Sequence, residues 1–427
     1  MNNLGFIEKL LDGVGVEWKF LGDVAEYSQT RVHASVLNTS SFVGVDNLIA
    51  DKGGRVDATY MPNTARLTAY EAGDILLGNI RPYLKKVWKA TNSGGCSGDV
   101  LAVRLSDNFK KIVTSDYLYY LLSSDEFFSY NMQHAKGAKM PRGNKAAIMN
   151  YKIPIPCPDN PEKSLEIQAE IVRILDAFTA MTTELTAELN LRQQQYNYYR
   201  DQLLSFEEGE VEWKTLGDVC VIGDGNHSSK YPRSDEMVEK GVPFIRGTNM
   251  VNGTISSLDM KFITPEKHQE LKKGHLKAYD VLMANRGEIG KIAQVPKNFS
   301  GANLNSQLAW LRAKQDLLLP RFLFYVLNTS HVQSTISGEG GALQQLTIKN
   351  IKLIRIPVPT IEKQSGIVAI LDKFDALTSS ITEGLPCEIE LRQKQYEYYR
   401  DLLLSFPKPE AGWSELRPTF YDHHGHS

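Results

Sequence analysis

Hydrophobic residues between positions 171 and 206 recur at alternating steps of four and three residues, with Thr182 and Arg192 filling the two gaps in the series. This is the spacing of the a and d positions of a heptad, which share one face of an α-helix and pack against a partner helix. The seam consists of Ile171, Leu175, Phe178, Leu185, Leu189, Tyr196, Tyr199, Leu203 and Phe206. The pattern predicts a long helix with a helical partner, although the core helix of an ordinary bundle shows the same spacing.

A repeat within the chain indicates which helix is the partner. Residues 191–206 (LRQQQYNYYRDQLLSF) and 391–406 (LRQKQYEYYRDLLLSF) differ at three positions. The segments that precede them, 167–178 and 362–374, are also similar. Each copy has a seam that needs a partner, and the other copy is the nearest one available. We therefore expect the two helices to pair antiparallel as a coiled coil.

The two copies differ in length at one place. The Asp and Leu that both copies share are 15 residues apart in the first (176 to 191) and 19 in the second (372 to 391). Four added residues interrupt a heptad seam. Pro386 lies in the longer interval, and a proline inside a helix removes one hydrogen bond and clashes with the preceding turn. We therefore expect a kink or a break near residues 383–387.

Two regions with a common plan accompany the helices. Residues 15–160 and 209–359 both begin near a VEWK-LGDV phrase and continue as short β-like runs between turn signals. A helical segment, a glycine-containing loop and an IPIP or IPVP phrase follow in each. Their interiors hardly align, which suggests one task performed on two targets. We predict an α+β fold with two globular domains of mixed β-sheet and helices, separated by the long helices and related by an approximate two-fold axis.

The predicted division of the chain has six parts. They are an N-terminal helical stub (1–14), the first globular domain (15–160), the first long helix (161–208), the second globular domain (209–359), the second long helix (360–408) and a C-terminal tail (409–427). The stub resembles the end of the first long helix in sequence. We therefore expect it to pack where the second long helix ends.

The overall charge limits how the chain could bind a polyanion. Its 427 residues include 48 Lys and Arg and 50 Asp and Glu, a formal charge of -2, so a nucleic-acid surface must be a local patch or be shared with partners. The four cysteines form no CxxC pair, which indicates neither a zinc site nor a disulfide framework. Neither a signal peptide nor an apolar run of membrane-spanning length is evident. We expect a cytoplasmic protein that does not bind a membrane.

The wording of the helices resembles the specificity subunits of type I restriction-modification systems, and in particular their type IC branch. The similarity covers residues 167–206 and 362–406, including the phrases RDQLLSF and SFPKPE, and extends to VEWK-LGDV and PIPCPDNPEKSLEIQ. This resemblance implies a non-catalytic DNA-recognition and scaffolding subunit. Its two globular parts would be target recognition domains, one for each half of a bipartite, asymmetric DNA site.

The resemblance also implies protein partners. Two modification subunits would dock on the helices, which set the unread gap between the half-sites, and restriction subunits would join the full assembly. S-adenosylmethionine, ATP and Mg²⁺ would be bound by those partners, so no cofactor and no metal are expected on this chain. The sequence agrees, because it contains no NPPY- or DPPY-like motif, no GxxxxGK[ST] loop and no GxGxxG between a strand and a helix.

Two other functions have to be weighed, a self-contained DNA-modifying enzyme and a coiled-coil linker protein. The Glu-Trp-Lys triplets at 17–19 and 212–214 match the E-x-K half of a metal-dependent nuclease site. No Pro-Asp precedes either triplet, so we favour a structural strand for both. His423, His424 and His426 have the side chains to chelate a metal, but their place in a polar tail favours disorder.

Candidate DNA-contacting residues follow from the chemistry of the duplex. Arg and Lys read guanine, Asn and Gln read adenine, and cations also bind phosphates. The first domain offers a glycine-containing basic loop and a second polar group, namely Lys136, Lys139, Arg142 and Lys145, and Asn79, Arg81 and Lys85. The second domain offers Gln344, Gln345 and Lys349 in its matching loop, and His227, Lys230, Arg233, Arg246, Asn249, Asn285 and Arg286. A solvated surface is the alternative for each.

Both helices also repeat residues that lie off the heptad seam. Tyr198 and Arg200 in the first copy correspond to Tyr398 and Arg400 in the second. Their repetition suggests a second surface, for which we expect a modification subunit as the partner. The alternative is that these residues merely flank the seam.

Overall fold

The chain is built of two compact units. The computed structural model describes residues 11, 13–207, 209–227, 231–337, 345–379 and 384–407. By internal contacts, unit 1 comprises residues 1–181 and 392–427, and unit 2 comprises residues 182–391. Each unit therefore combines one β-rich domain with a part of each helical segment.

Unit 1 contains two four-stranded sheets and a separate strand pair. Its strands are β1 (Val16–Phe20), β2 (Ala25–Tyr27), β3 (Arg31–His33), β4 (Phe42–Val43), β5 (Arg66–Tyr70), β6 (Ile75–Gly78), β7 (Val87–Lys89), β8 (Gly94–Cys96), β9 (Val100–Leu105) and β10 (Lys152–Pro156). One sheet is antiparallel in the order β2-β9-β6-β7. The other, β3-β5-β8-β4, is mixed because β4 runs parallel to β8. β1 pairs with β10 in an antiparallel ladder.

Short helices cover the sheets of unit 1, and a long one leaves it. They are α1 (Leu21–Val24), α2 (Ser115–Leu122), α3 (Asp125–Gln133), α4 (Lys145–Met149) and α5 (Pro161–Leu203). At the start of α5, Oδ1 of Asn160 accepts a hydrogen bond from the Lys163 amide at 3.1 Å. Pro161 follows as the first helical residue, where its missing N–H would have no helical partner in any case.

Unit 2 repeats this plan with different detail. Its strands are β11 (Glu212–Thr215), β12 (Cys220–Asp224), β13 (Val242–Ile245), β14 (Met250–Val251), β15 (Thr254–Ile255), β16 (Lys261–Ile263), β17 (Val281–Ala284), β18 (Ile292–Gln294), β19 (Asn303–Leu304), β20 (Leu308–Ala313) and β21 (Arg355–Val358). The sheet β12-β20-β17-β18 is antiparallel, and β16-β13-β19 is mixed. β11 pairs antiparallel with β21, and β14 with β15. The helices of unit 2 are α6 (Leu216–Val219), α7 (Pro265–Glu270), α8 (Pro320–Leu327), α9 (Ser330–Ser337), α10 (Ile348–Leu353) and α11 (Ile361–Ser379). The last helix, α12 (Gly384–Leu404), begins in unit 2 and belongs to unit 1 from residue 392 onward.

A buried ion pair occurs at the same place in both antiparallel four-stranded sheets. Asp74 before β6 and Asp280 before β17 have side chains 4% and 1% exposed. Each accepts a guanidinium hydrogen bond at 2.7 Å, from Arg104 and Arg312 respectively. A buried carboxylate requires such a partner. The common sheet order and this shared pair confirm the predicted α+β fold with two similar β-rich domains.

The long helices contact each other through equivalent aromatic residues in each unit. Within unit 1, Phe178 of α5 stacks on Tyr399 of α12 with ring centroids 5.2 Å apart. Within unit 2, Tyr199 of α5 stacks on Phe374 of α11 at 5.8 Å. The earlier residue of α5, Phe178, thus contacts the later residue of the second helical segment, and Tyr199 contacts the earlier one. The pairing is the antiparallel one that the sequence predicts.

The core of unit 1 includes the ends of the helices as well as the sheet. Leu175 of α5 and Leu403 of α12 are both fully buried, in the same cluster as Ile75 of β6 and Tyr117 of α2. Leu11, at the end of the predicted stub, is 5% exposed and belongs to this cluster too. The end of the second helical segment contributes Leu404 and Phe406 to the same cluster. The packing of the stub stays a prediction, because residues 1–10 and 12 lie outside the described residues.

Two helices are described in the second helical segment, one on each side of residues 380–383. α11 ends at Ser379, and α12 begins at Gly384, whose φ of +76° is left-handed. Residues 380–383 lie outside the described residues. Residue 383, the first of the predicted kink at 383–387, is therefore among those not described. Pro386 is the third residue of α12 and breaks no helix. A proline is tolerated in the first turn because the amide it lacks has no helical partner there.

Candidate nucleic-acid interface

The basic loop of unit 1 is bound to the segment that follows β6. The backbones of Lys136 and Arg142 exchange two hydrogen bonds, of 2.9 and 2.8 Å, which close the loop. The amide of Arg81 donates to the carbonyl of Pro141 at 2.7 Å. The structure therefore brings together the two groups of residues that the sequence offered separately for this domain. We call residues 79–86 and 136–145 the unit 1 loop cluster.

Most of the cationic side chains in this cluster are exposed. Arg81, Lys136 and Lys139 face solvent. Arg142 is also exposed, with its guanidinium 3.2 Å from Oδ1 of Asp99. The list of exposed cations is completed by Lys145, the first residue of α4. These side chains have both the charge and the access that phosphate or base contacts require.

Lys85 is engaged within the protein. Its Nζ lies 2.6 Å from Oδ1 of Asp125, the first residue of α3. Lys52 reaches the same oxygen at 3.1 Å. Burial would raise the pKa of Asp125, but hydrogen bonds from Lys85 and Lys52 outweigh it and hold the pKa well below its usual range. Lys85 is thus paired with a carboxylate that remains charged.

Unit 2 joins its two groups in the same way. The amide of Leu346 donates to the Asn285 carbonyl at 2.9 Å, as Gly143 does to Asn79 at 3.0 Å in unit 1. Arg286 adds a side-chain hydrogen bond to Oε1 of Gln345 at 3.0 Å. We call residues 285–291 and 345–349 the unit 2 loop cluster. Lys349 in α10 is exposed, whereas Gln344 and Lys230 lie outside the described residues.

Three candidate asparagines are buried, and their contact with DNA stays a prediction. Asn79 and Asn285 are 8% and 3% exposed, and their backbone carbonyls accept the hydrogen bonds from the loop amides described above. Asn249 is fully buried, and its side chain accepts from the Arg246 amide at 3.1 Å and donates to the Leu258 carbonyl at 3.0 Å. The Asn249 side chain thus satisfies the backbone of its turn, whereas Asn79 and Asn285 hold the loops through their backbone carbonyls.

The remaining candidates of unit 2 lie apart from its loop cluster in sequence. His227 is exposed and 3.1 Å from Asp224. Arg233 is exposed, with its Nε 3.9 Å from Glu236. Arg246 is half-buried and donates to the Asp259 carbonyl at 2.7 Å. The two exposed side chains remain candidates for DNA contact, while Arg246 stabilises a turn.

The four residues of the predicted docking surface on the helices differ in exposure, and their role in docking stays a prediction. Tyr198 and Tyr398 are 61% and 48% exposed. Arg200 and Arg400, by contrast, are only 8% and 1% exposed. Arg400 donates to Oδ2 of Asp125 at 2.6 Å and thereby joins α12 to α3. The tyrosines alone remain on an accessible face.

Two buried glutamines that anchor the long helices were missed. Gln168 of α5 accepts from the Thr114 amide at 3.0 Å and donates to the Ile112 carbonyl at 2.6 Å. Gln364 of α11 makes the equivalent bonds, of 2.8 and 2.9 Å, to residues 319 and 317. The available signal was their recurrence at the repeat distance of 196 residues. Polar residues at helix starts are common, however, so recurrence alone did not indicate burial.

Two repeated aspartates tie the same helices to their domains. Oδ1 of Asp176 accepts from the Tyr120 hydroxyl at 2.5 Å, and Asp372 accepts from Tyr325 at the same distance. Burial, together with the hydrogen bond to the carboxylate, raises the pKa of Tyr120 well above its usual range. Each helix is thus held to one β-rich domain by a glutamine and an aspartate.

The described residues contain no group of three or more His, Cys, Asp and Glu side chains placed to hold a metal ion.

The Glu-Trp-Lys triplets lie in strands. Glu17 and Lys19 pair at 2.5 Å in β1, and Glu212 and Lys214 pair at 3.0 Å in β11. The three tail histidines lie outside the described residues. Burial raises the pKa of the Cys96 and Cys220 thiols to about 12. Within the described ranges, no helix is both long and apolar enough to cross a membrane.

Comparisons with known proteins agree with this architecture. A profile of the type I restriction modification DNA specificity domain matches residues 72–192 and 208–391. The chain is 39% identical over 427 residues to the specificity subunit of the type I restriction enzyme EcoR124I/EcoR124II from Escherichia coli, covering 96% of this chain and 99% of the relative. It is 32% identical over 429 residues to a putative type I specificity subunit from Haemophilus influenzae, covering 95% and 99%.

A solved structure shows the same fold at low sequence identity. It is a chain from a study of complex assembly and conformational transition of the type I R-M system, with a TM-score of 0.60 and 19% identity, covering 91% of this chain and 97% of that one. The predicted resemblance to type IC specificity subunits is confirmed. This chain belongs to the DNA specificity subunits of type I restriction-modification systems, and the catalytic activities and cofactors of those systems reside in the partner modification and restriction subunits.

Proposed function

We propose that this chain reads a bipartite, asymmetric DNA site, with one half-site bound by the loop cluster of each unit. The observation that carries the proposal is the common construction of the two clusters. In both, a loop before a short helix is hydrogen-bonded to the asparagine carbonyl that follows the central strand β6 or β17. The same frame presents different side chains in the two units, as two different half-sites require.

The chemistry of the side chains indicates what each cluster contacts. The unit 1 loop cluster presents Arg81, Lys136, Lys139 and Arg142, which suit guanine edges and phosphates. The unit 2 loop cluster presents Arg286 and Gln345, which are hydrogen-bonded to each other as a pair of donor and acceptor groups. With a chain net charge of -2, this local positive charge is the attraction available to the duplex.

Membership of the family implies assembly with DNA and with other type I subunits. We infer more specifically that two modification subunits dock on the paired helices and that restriction subunits join this complex. The exposed Tyr198 and Tyr398 support a docking face, since tyrosines are enriched at protein interfaces. Acting on DNA beside these partners, the chain would work in the cytoplasm.

The DNA-reading role is tested by Arg142→Ala in the full chain, assembled with its modification partner. If Arg142 reads a base, the substitution should cost about 1–3 kcal/mol of binding free energy and relax one position of one half-site. Uniform weakening across sequences would identify a phosphate contact. Lys110→Ala is the matched control, because Lys110 is an exposed cation of the same unit that pairs with Asp107.

The result that would contradict the role is equally specific. The three loop variants to compare with the Lys110→Ala control are Arg142→Ala, Arg81→Ala and Lys136→Ala. If each has the same DNA affinity and sequence preference as the control, the unit 1 loop cluster does not contact DNA.

The docking face is tested separately by Tyr198→Ala with Tyr398→Ala in one chain. Co-purification of the modification subunit should fall, while DNA-independent folding is unchanged because both side chains are exposed. Undiminished co-purification would assign docking to another surface.

A further inference from the structure

Asp125 connects three parts of unit 1 that are far apart in sequence. Its Oδ1 accepts hydrogen bonds from Lys52 at 3.1 Å and from Lys85 at 2.6 Å. Its Oδ2 accepts one from Arg400 of α12 at 2.6 Å. Lys85 belongs to the unit 1 loop cluster. One carboxylate therefore joins the candidate DNA-contacting loop to a long helix.

The backbone at these lysines is unfavourable without support. Lys52 and Lys85 have φ of +63° and +48°, in the left-handed region that residues with a Cβ rarely adopt. Their segments are bound to each other, since the amide of Lys52 donates to the Lys85 carbonyl at 3.0 Å. Arg81, with φ of +53°, lies in the same loop. Such conformations persist where surrounding contacts hold them, and they cluster at binding sites.

Charge makes the cluster depend on Asp125. Three cations surround it, and one of them, Arg400, also contacts Asp401 at 2.8 Å. Burial lowers the pKa of Lys52, and the proximity of Arg400 lowers it further. Without the Asp125 carboxylate these cations would repel one another in a half-buried site. The lysines would then separate, and the loop that carries Arg81 would move with Lys85.

Unit 2 is built differently at the equivalent point. Ser330 is the first residue of α9, as Asp125 is of α3. Its hydroxyl donates to Oδ2 of Asp201 at 2.5 Å. Arg200 donates to Oδ1 of Asp201 and of Asn197, each at 3.0 Å. Among the residues described in unit 2, no lysine joins this group, so the connection to a DNA-contacting loop is particular to unit 1.

We propose that Asp125 is a positioning residue that couples the DNA-contacting loop of unit 1 to α12. Recognition of the half-site bound by unit 1, which we call the first half-site, would then depend on this contact. The coupling rests on the proposed function, because it assumes that the unit 1 loop cluster binds DNA. It predicts an effect on one half-site only.

The test uses Asp125→Asn and Asp125→Ser in the full chain, expressed with its modification partner in a host whose methylated motif is then sequenced. The serine variant copies the residue that the fold of unit 2 accepts at this place. Both variants should lower methylation of sites with the correct first half-site by roughly tenfold, or relax the base preference at that half-site. The sequence of the second half-site in the methylated motif should be unchanged. Asp125→Glu should restore recognition in part, since it keeps the carboxylate.

The control is Asp107→Asn, the same chemical change at an exposed ion pair of unit 1. An unchanged first half-site in both Asp125 variants, or an equal change in both half-sites, would overturn the coupling. Arg81→Ala distinguishes the two proposals. If it alters the first half-site while the Asp125 variants do not, the coupling fails. If Arg81→Ala, Arg142→Ala and Lys136→Ala have no effect either, DNA contact by this loop fails.

Discussion

At the residue scale, Gly143 fixes how closely the basic loop of unit 1 approaches its support. A Cβ atom at this position would lie 2.7 Å from Oδ1 of Asn79 and from Oδ1 of Asn131. Both asparagines are buried, so a Cβ would force their amides to shift within the packed interior. Only a residue without a side chain allows the Gly143 amide to reach the Asn79 carbonyl at 3.0 Å.

Gly143→Ala should therefore displace the loop and destabilise unit 1 by about 1–3 kcal/mol, the usual cost of overpacking. Chemical denaturation measures the stability, and binding to DNA variants in either half-site measures the displacement, which should weaken the first half-site alone. Gly98→Ala is the control, because a Cβ there meets nothing within 4 Å. Equal behaviour of the two variants would show that the loop is not held in this way.

Side-chain type predicted which residues could contact DNA, but it did not predict exposure. Asn249 has the side chain to read adenine, yet its amide is hydrogen-bonded to backbone groups of its own turn. Arg400 was placed on a surface because it lies off the heptad seam. Its partner Asp125 is 275 residues away in sequence, so local pattern contained no signal for that contact.

At the scale of elements, the position of each long helix depends on a buried glutamine. Gln168 bonds a backbone amide and a backbone carbonyl in the segment before α2. Gln168→Ala leaves the Thr114 amide unpaired and leaves the Ile112 carbonyl with only the 3.4 Å hydrogen bond from the Ser164 hydroxyl. A buried unpaired group costs about 1–3 kcal/mol. We expect a clear loss of unfolding free energy in chemical denaturation. Gln194→Ala, at an exposed position of the same helix, should change it little; comparable losses would refute the anchor.

The length of α5 is expected to set the unread gap in the DNA site. Residues 182–189 contain a TxEL repeat, and one further TAEL inserted after Leu189 lengthens a helix by about 6 Å. The methylated motif of the insertion variant should keep both half-sites and gain a longer gap between them. A gap of unchanged length, with methylation retained, would show that the helix does not determine the spacing.

The helices and their pairing could be predicted because their signal is long and repeated. Phe178 and Tyr199 on the seam, with their counterparts Phe374 and Tyr399, make the predicted contacts. The role of Pro386 could not be predicted in the same way. A proline ends one helix or begins another with equal ease, and the sequence alone did not show that α12 starts two residues before it.

At the scale of the whole molecule, duplication gives one chain two similar frames with different binding side chains. The antiparallel four-stranded sheet, the buried Asp–Arg pair and the glutamine anchor recur in both units. The loop clusters and the group around Asp125 differ between the two units. This distribution separates what stabilises the fold from what we propose to select the DNA sequence.

The most direct test is the methylated DNA motif of a host that carries this chain with its modification partner, determined by single-molecule sequencing. Two unlike loop clusters on one chain predict an asymmetric motif of two specified halves separated by an unspecified gap. Arg142→Ala should alter one half and leave the other intact. A contiguous motif, a palindromic motif, or a change in both halves on this single substitution would contradict the assignment of one half-site to each unit.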